Sequence, residues 1–85
     1  PLRASPDGKV WVTYDSDGAW LSLDGSPTKQ VWSGRVDGLI WAPDGSSFLF
    51  ISGSILYRAS APDYQPVAMV NLPHYSWWKL NWVMP

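Results

Sequence analysis

The 85-residue chain has no cysteine, no glutamate and a single histidine, His74. Without cysteine no disulfide can brace a thin core, and thiol nucleophiles and Cys-ligated zinc are excluded. Without a second imidazole no His pair can hold a metal, and His74 is left as the one histidine for general-base work. Charge is scarce as well: six Lys and Arg face seven Asp, for a net charge of −1, with no run of like sign. That removes the electrostatic footprint of a nucleic-acid or anionic-membrane binder. Apolar runs such as residues 48–51 and 67–70 fall far short of the roughly 20 residues that a membrane-spanning helix needs. The chain opens on Pro1 without a basic-then-apolar leader, so a processed chain or part of a longer one is expected.

Catalytic patterns are equally sparse. No serine sits in a Gly-x-Ser-x-Gly elbow, and no Gly-rich phosphate loop is present. Asp15-Ser16-Asp17-Gly18 resembles the opening of a calcium loop, but no bidentate Glu can follow, so the segment reads as a hairpin turn. A triad built from a serine, His74 and Asp63 has no motif to support it, and His74 reads as a loop residue after Pro73. The chain is expected to be neither an enzyme nor a cofactor or metal binder.

Seven Gly and eight Pro punctuate short apolar runs, as in an all-β chain with many turns. They do so periodically. SPDGKVWVT, beginning at Ser5, recurs as APDGSSFLF, beginning at Ala42; Pro6 and Pro43 lie 37 residues apart, as do Trp20 and Tyr57. Leu39-Ile40-Trp41 recurs 41 residues later as Leu80-Asn81-Trp82, so the second repeat carries four extra residues, placed in the segment 60–66. In Ser5-Pro6-Asp7-Gly8 and Ala42-Pro43-Asp44-Gly45, Pro presets φ for the second position of a type I turn and Gly relieves the exit. Asp17-Gly18 is expected to supply the positive φ values of a tight hairpin, with Ser52-Gly53-Ser54 as its counterpart and Asp24-Gly25-Ser26-Pro27 as a third turn.

Residues 10–14, 19–23, 29–32, 39–42, 48–51, 55–59, 67–70 and 77–83 then read as strands, with none assigned to 1–4. The last could also be a helix with Tyr75, Trp78 and Trp82 on one face; the match of Trp82 to Trp41 favours strand. Phe48-Leu49-Phe50-Ile51 is apolar at consecutive positions, so both faces of its sheet call for cover. A period near 40 residues with four strands per unit fits propeller blades.

WAPDGSSFLF followed by ILYRAS, and SPDGKVWVTY followed by WLSLDGSPTKQVW, resemble the repeat of TolB-type β-propellers, which also occurs in the propeller domains of prolyl oligopeptidase-like peptidases. The resemblance covers about residues 2–83 in two copies, and its matching residues are structural. Ala4 departs from the pattern's Trp, and Val83-Met84-Pro85 from its Ser-Pro-Asp. It implies two four-stranded antiparallel β-propeller blades, incomplete as a ring. Residues 1–38 form the first; 39–85 form the second plus the innermost strand of a following blade. It also implies a periplasmic or extracellular protein that binds another protein.

Fewer than about three repeats seldom bury a continuous core, so a neighbour is expected: the rest of a longer propeller, copies of the chain closing a ring, or an unrelated partner. In the second case residues 75–83 of one chain would complete the first blade of the next. Function is expected to be that of a scaffold or protein-interaction module, with a carbohydrate-binding module using exposed Trp, or the gating propeller of a peptidase, as alternatives. Of the seven tryptophans, Trp20, Trp41 and Trp82, together with Tyr57, hold repeat-equivalent positions and read as inter-blade core. Trp32, Trp77 and Trp78 have no such counterparts and are candidate interface residues, with Lys79 and Arg58 as polar neighbours; additional core is the other reading of the three tryptophans.

Overall fold

In the computed structural model, which describes residues 1–23 and 28–71, the two Pro-Asp-Gly segments fold alike. The Gly8 amide donates to the Ser5 carbonyl at 2.9 Å and the Gly45 amide to the Ala42 carbonyl at 3.0 Å, closing four-residue turns. Gly8 and Gly45 take φ of 76° and 74°, a left-handed conformation that suits glycine. Each turn then feeds a strand of β-branched and aromatic residues, the composition that fits a pleated, half-buried surface.

The chain is all-β, with eight strands in two four-stranded antiparallel sheets and no helix among the described residues. In the first sheet β1 (Leu2–Ala4), β2 (Val10–Tyr14), β3 (Gly18–Leu23) and β4 (Lys29–Ser33) lie in chain order. In the second, β5 (Gly38–Trp41), β6 (Ser47–Ser52), β7 (Ile55–Ser60) and β8 (Gln65–Asn71) repeat that order. Neither sheet closes on itself, consistent with an incomplete two-blade arrangement.

The sheets stack through one face each, with β1 against β5 and β4 against β8. Residues 34–37 make the crossing: the Val36 amide donates to the Asp15 carbonyl and the Asp37 amide to the Ile51 carbonyl, while Val36 itself is buried. Between the sheets lie Val12, Tyr14, Ala19 and Leu21 from the first and Leu39, Trp41, Phe48, Phe50 and Ala59 from the second. Burial there supplies the main stabilisation, about 25 cal/mol per Å² of apolar surface.

Three expectations need correcting. β1 exists: it pairs with β2 through Leu2↔Thr13, Arg3↔Val12 and Ala4↔Trp11, so the first sheet has its innermost strand and needs none from a neighbouring chain. Gly18 does not have positive φ; it begins β3, and a Cβ there would run into the Trp32 carbonyl oxygen, so close approach dictates the glycine. The Asp15 carboxylate accepts instead from the amides of Asp17 (2.7 Å) and Gly18 (3.2 Å), shaping the turn from its side chain. Lastly, Trp20 pairs with Gln30 and Tyr57 with Ala68, so one extra residue, not four, lies between β7 and β8 relative to β3 and β4. The expected turn at 24–27 and strand at 77–83 lie outside the described residues.

Candidate functional site

No cluster of three or more His, Cys, Asp or Glu that could hold a metal occurs among the described residues, and no helix there is long and apolar enough to cross a membrane. What the fold does build is surface. Because side chains alternate across a strand, each sheet turns one set of residues to its partner and the opposite set outward.

The pairing repeats residue for residue. Val12↔Leu21, Thr13↔Trp20 and Tyr14↔Ala19 in the first sheet become Leu49↔Arg58, Phe50↔Tyr57 and Ile51↔Leu56 in the second, each 37 positions on. Ala4↔Trp11 becomes Trp41↔Phe48. Even the bulge recurs, between Ala19 and Trp20 and then between Leu56 and Tyr57. The two sheets therefore have matching faces. Leu39, Trp41, Phe48, Phe50 and Tyr57, which dock onto the first sheet, have Leu2, Ala4, Trp11, Thr13 and Trp20 as counterparts on the outer face of the first sheet. Val12, Tyr14, Ala19, Leu21 and Trp32, which receive them, have Leu49, Ile51, Leu56, Arg58 and Val70 as counterparts on the outer face of the second.

At the internal junction aromatic contacts carry the fit. Trp32 lies edge-on to Phe50, centroids 5.2 Å apart, and tilted over Tyr57 at 4.4 Å, distances at which ring pairs add to simple burial. Its indole N–H donates to the Ser52 hydroxyl at 3.1 Å. On the other side of the junction the Trp41 indole donates to the Arg3 carbonyl at 3.1 Å, and Tyr64 stacks on Phe48 at 5.8 Å. Burial, with Asp7 nearby, pushes the Tyr64 phenol above its usual pKa. Tyr64 is held at φ 55°, rare for a bulky residue, which shows how much its ring is wanted in the core. It lies in the segment 60–66, where four extra residues are expected from the repeat, and no periodic signal points to it.

The outer faces are apolar but uncovered by any described strand. On the first, Leu2 and Trp11 are 56% and 49% exposed and Trp20 is half-buried; on the second, Ser47 and Ile51 are buried, Leu49 and Leu56 are half-buried, and Val67 and Val70 are 59% and 47% exposed. A surface hollow of about 400 Å³ beside Arg58 is lined by Ser60, Asp63, Gln65, Val67 and Met69.

Of the candidate interface residues, Trp32 belongs to the internal junction, half-buried against the core. Arg58 is exposed, paired with Leu49 and Val67 across the outer face of the second sheet. Trp77, Trp78 and Lys79 lie outside the described residues, as do His74 and Trp82. Of the residues read as inter-blade core, Trp41 and Tyr57 sit at the junction, whereas Trp20 lies on the outer face of the first sheet. The chain matches no protein family model, no curated protein and no solved structure.

Proposed function

We propose that the chain is a non-catalytic β-propeller segment of the TolB-like kind, a scaffold or protein-interaction module that works by stacking sheet faces. The observation that carries this reading is the equivalence of faces: each outer face is the repeat counterpart of one already buried at the internal junction. A self-sufficient two-sheet sandwich would instead place polar residues on both outer faces. The periplasmic or extracellular setting goes with the same resemblance.

Joining full chains in tandem tests it. In a blade stack every added junction buries another pair of faces, so thermal midpoints should climb by several degrees from one copy to two and again to three. Midpoints that do not move with copy number would mean that the two-sheet unit is already complete.

A sugar platform is the second reading, favoured by Trp11, which shares an outer face with Trp20 and the hydroxyls of Thr13 and Ser22. Quenching of tryptophan fluorescence by soluble oligosaccharides, abolished in Trp11→Ala, is the result that would support it.

A further inference from the structure

We infer that the two outer faces bind one another in trans: the first-sheet face of one copy of this chain takes the second-sheet face of another, in the geometry of the internal junction. This rests on the blade-stack reading above and names the partner it leaves open.

The internal junction is a working example of the contact. There Phe48, Phe50 and Tyr57 of the second sheet lie on Val12, Tyr14, Ala19 and Trp32 of the first. The residues left over are the other half of each pair. Trp11, Thr13 and Trp20 stand where Phe48, Phe50 and Tyr57 stand, with the same cross-strand partners and the same bulge beside them. Leu49, Leu56 and Val70 stand where Val12, Ala19 and Trp32 stand, while Ile51, the counterpart of Tyr14, is already buried within the chain. Since register and bulge are copied, the second sheet's outer face presents the same pairing pattern as the face that receives the second sheet at the internal junction.

Arg58, which stands where the buried Leu21 stands, is the one charged residue on the paired positions of the two outer faces from β1 to β3 and β5 to β7, and its long side chain must carry the charge to the rim of the contact. The contact is heterologous, using different surfaces on the two copies, so it propagates until a ring closes. With two sheets per copy and rings of roughly four to eight blades, closure takes about two to four copies. No strand need be exchanged, since β1 already fills the inner place of the first sheet.

The test uses the full chain and two single-face variants at exposed positions, Trp11→Asp on the first sheet and Val70→Asp on the second. Light scattering should give the wild type a mass of about two to four chains. Each variant alone should be a monomer, and an equimolar mixture should form a dimer that cannot grow, because one copy lends its intact second-sheet face and the other its intact first-sheet face. Circular dichroism establishes that each variant is folded, and Leu2→Lys paired with Val67→Lys repeats the measurement at independent exposed sites. A wild type that stays monomeric at every concentration overturns the proposal, as does a variant that still self-associates, since then a face meets its own kind, or a mixture that remains monomeric. If tandem copies gain stability while separate copies stay apart, the blade-stack reading survives and association in trans does not.

Discussion

A β-carbon at position 18 would meet the carbonyl oxygen of Trp32, a backbone atom that can yield only if β3 and β4 part. Gly18→Ala should therefore cost roughly 1–3 kcal/mol, the usual range for forcing atoms into a filled site, and a urea midpoint lowered accordingly is the check. Asp7 and Asp44 show a different single-residue effect. The Lys9 amide and then the Ser5 hydroxyl hold the Asp7 carboxyl below the usual carboxylate pKa, and the Ser46 amide and hydroxyl do the same for Asp44. A carboxyl with a lower pKa folded than unfolded contributes stability that is present above its unfolded value, about 3.9, and is lost as pH falls through the folded one. The chain should hold its stability from neutral pH down to about 5 and then lose it. In Asp7→Asn/Asp44→Asn the acid-side decline should be shallower, and equal slopes in urea titrations against pH would rule the turns out as its source.

Among the elements, β4 and β6 are tied by a single side chain. Trp32 spans from the edge of the first sheet to Phe50, Tyr57 and Ser52 of the second. Trp32→Ala should cost roughly 2–4 kcal/mol, toward the low end for a tryptophan because the ring is half-buried. Trp32→Phe keeps a ring but leaves the Ser52 hydroxyl without its donor, for a smaller loss of about 1 kcal/mol. Denaturant titration of both variants checks the order, and equal losses would mean that the hydrogen bond and not the ring holds the sheets. Much at this scale was legible beforehand. Seven of the eight strands follow from runs of β-formers between turn residues, and the recurring Pro-Asp-Gly set their phase. β1 escaped because three residues carry no period; it forms because β2 offers an open edge. Tyr64 escaped for a related reason: a turn residue reaches the core by tertiary fit, at a backbone angle that local preference disfavours.

At the scale of the whole molecule, the matching of faces was hidden in the same repeat that showed the strands. The 37-residue spacing says that Trp20 and Tyr57 are equivalent, yet Tyr57 packs against the core at the junction while Trp20 and Trp11 lie on an outer face that no described sheet covers. A finite stack of like units always has such ends, and sequence equivalence cannot tell an end from a middle. If copies cover the ends, the driving force must be apolar, since the paired positions bring together Leu2, Trp11 and Trp20 with Leu49, Leu56 and Val70. Raising ionic strength from roughly 0.05 M to roughly 0.5 M shortens the Debye length severalfold and would dissolve a contact made of surface charges. Here the mass measured by light scattering should not fall. Calorimetric dilution should show a negative heat-capacity change on association, the mark of apolar surface leaving water. A mass that drops with added salt would assign the contact to charged groups away from these faces, with exposed Arg35, ion-paired at 2.6 Å to half-buried Asp37 on the crossing between the sheets, as the first place to look.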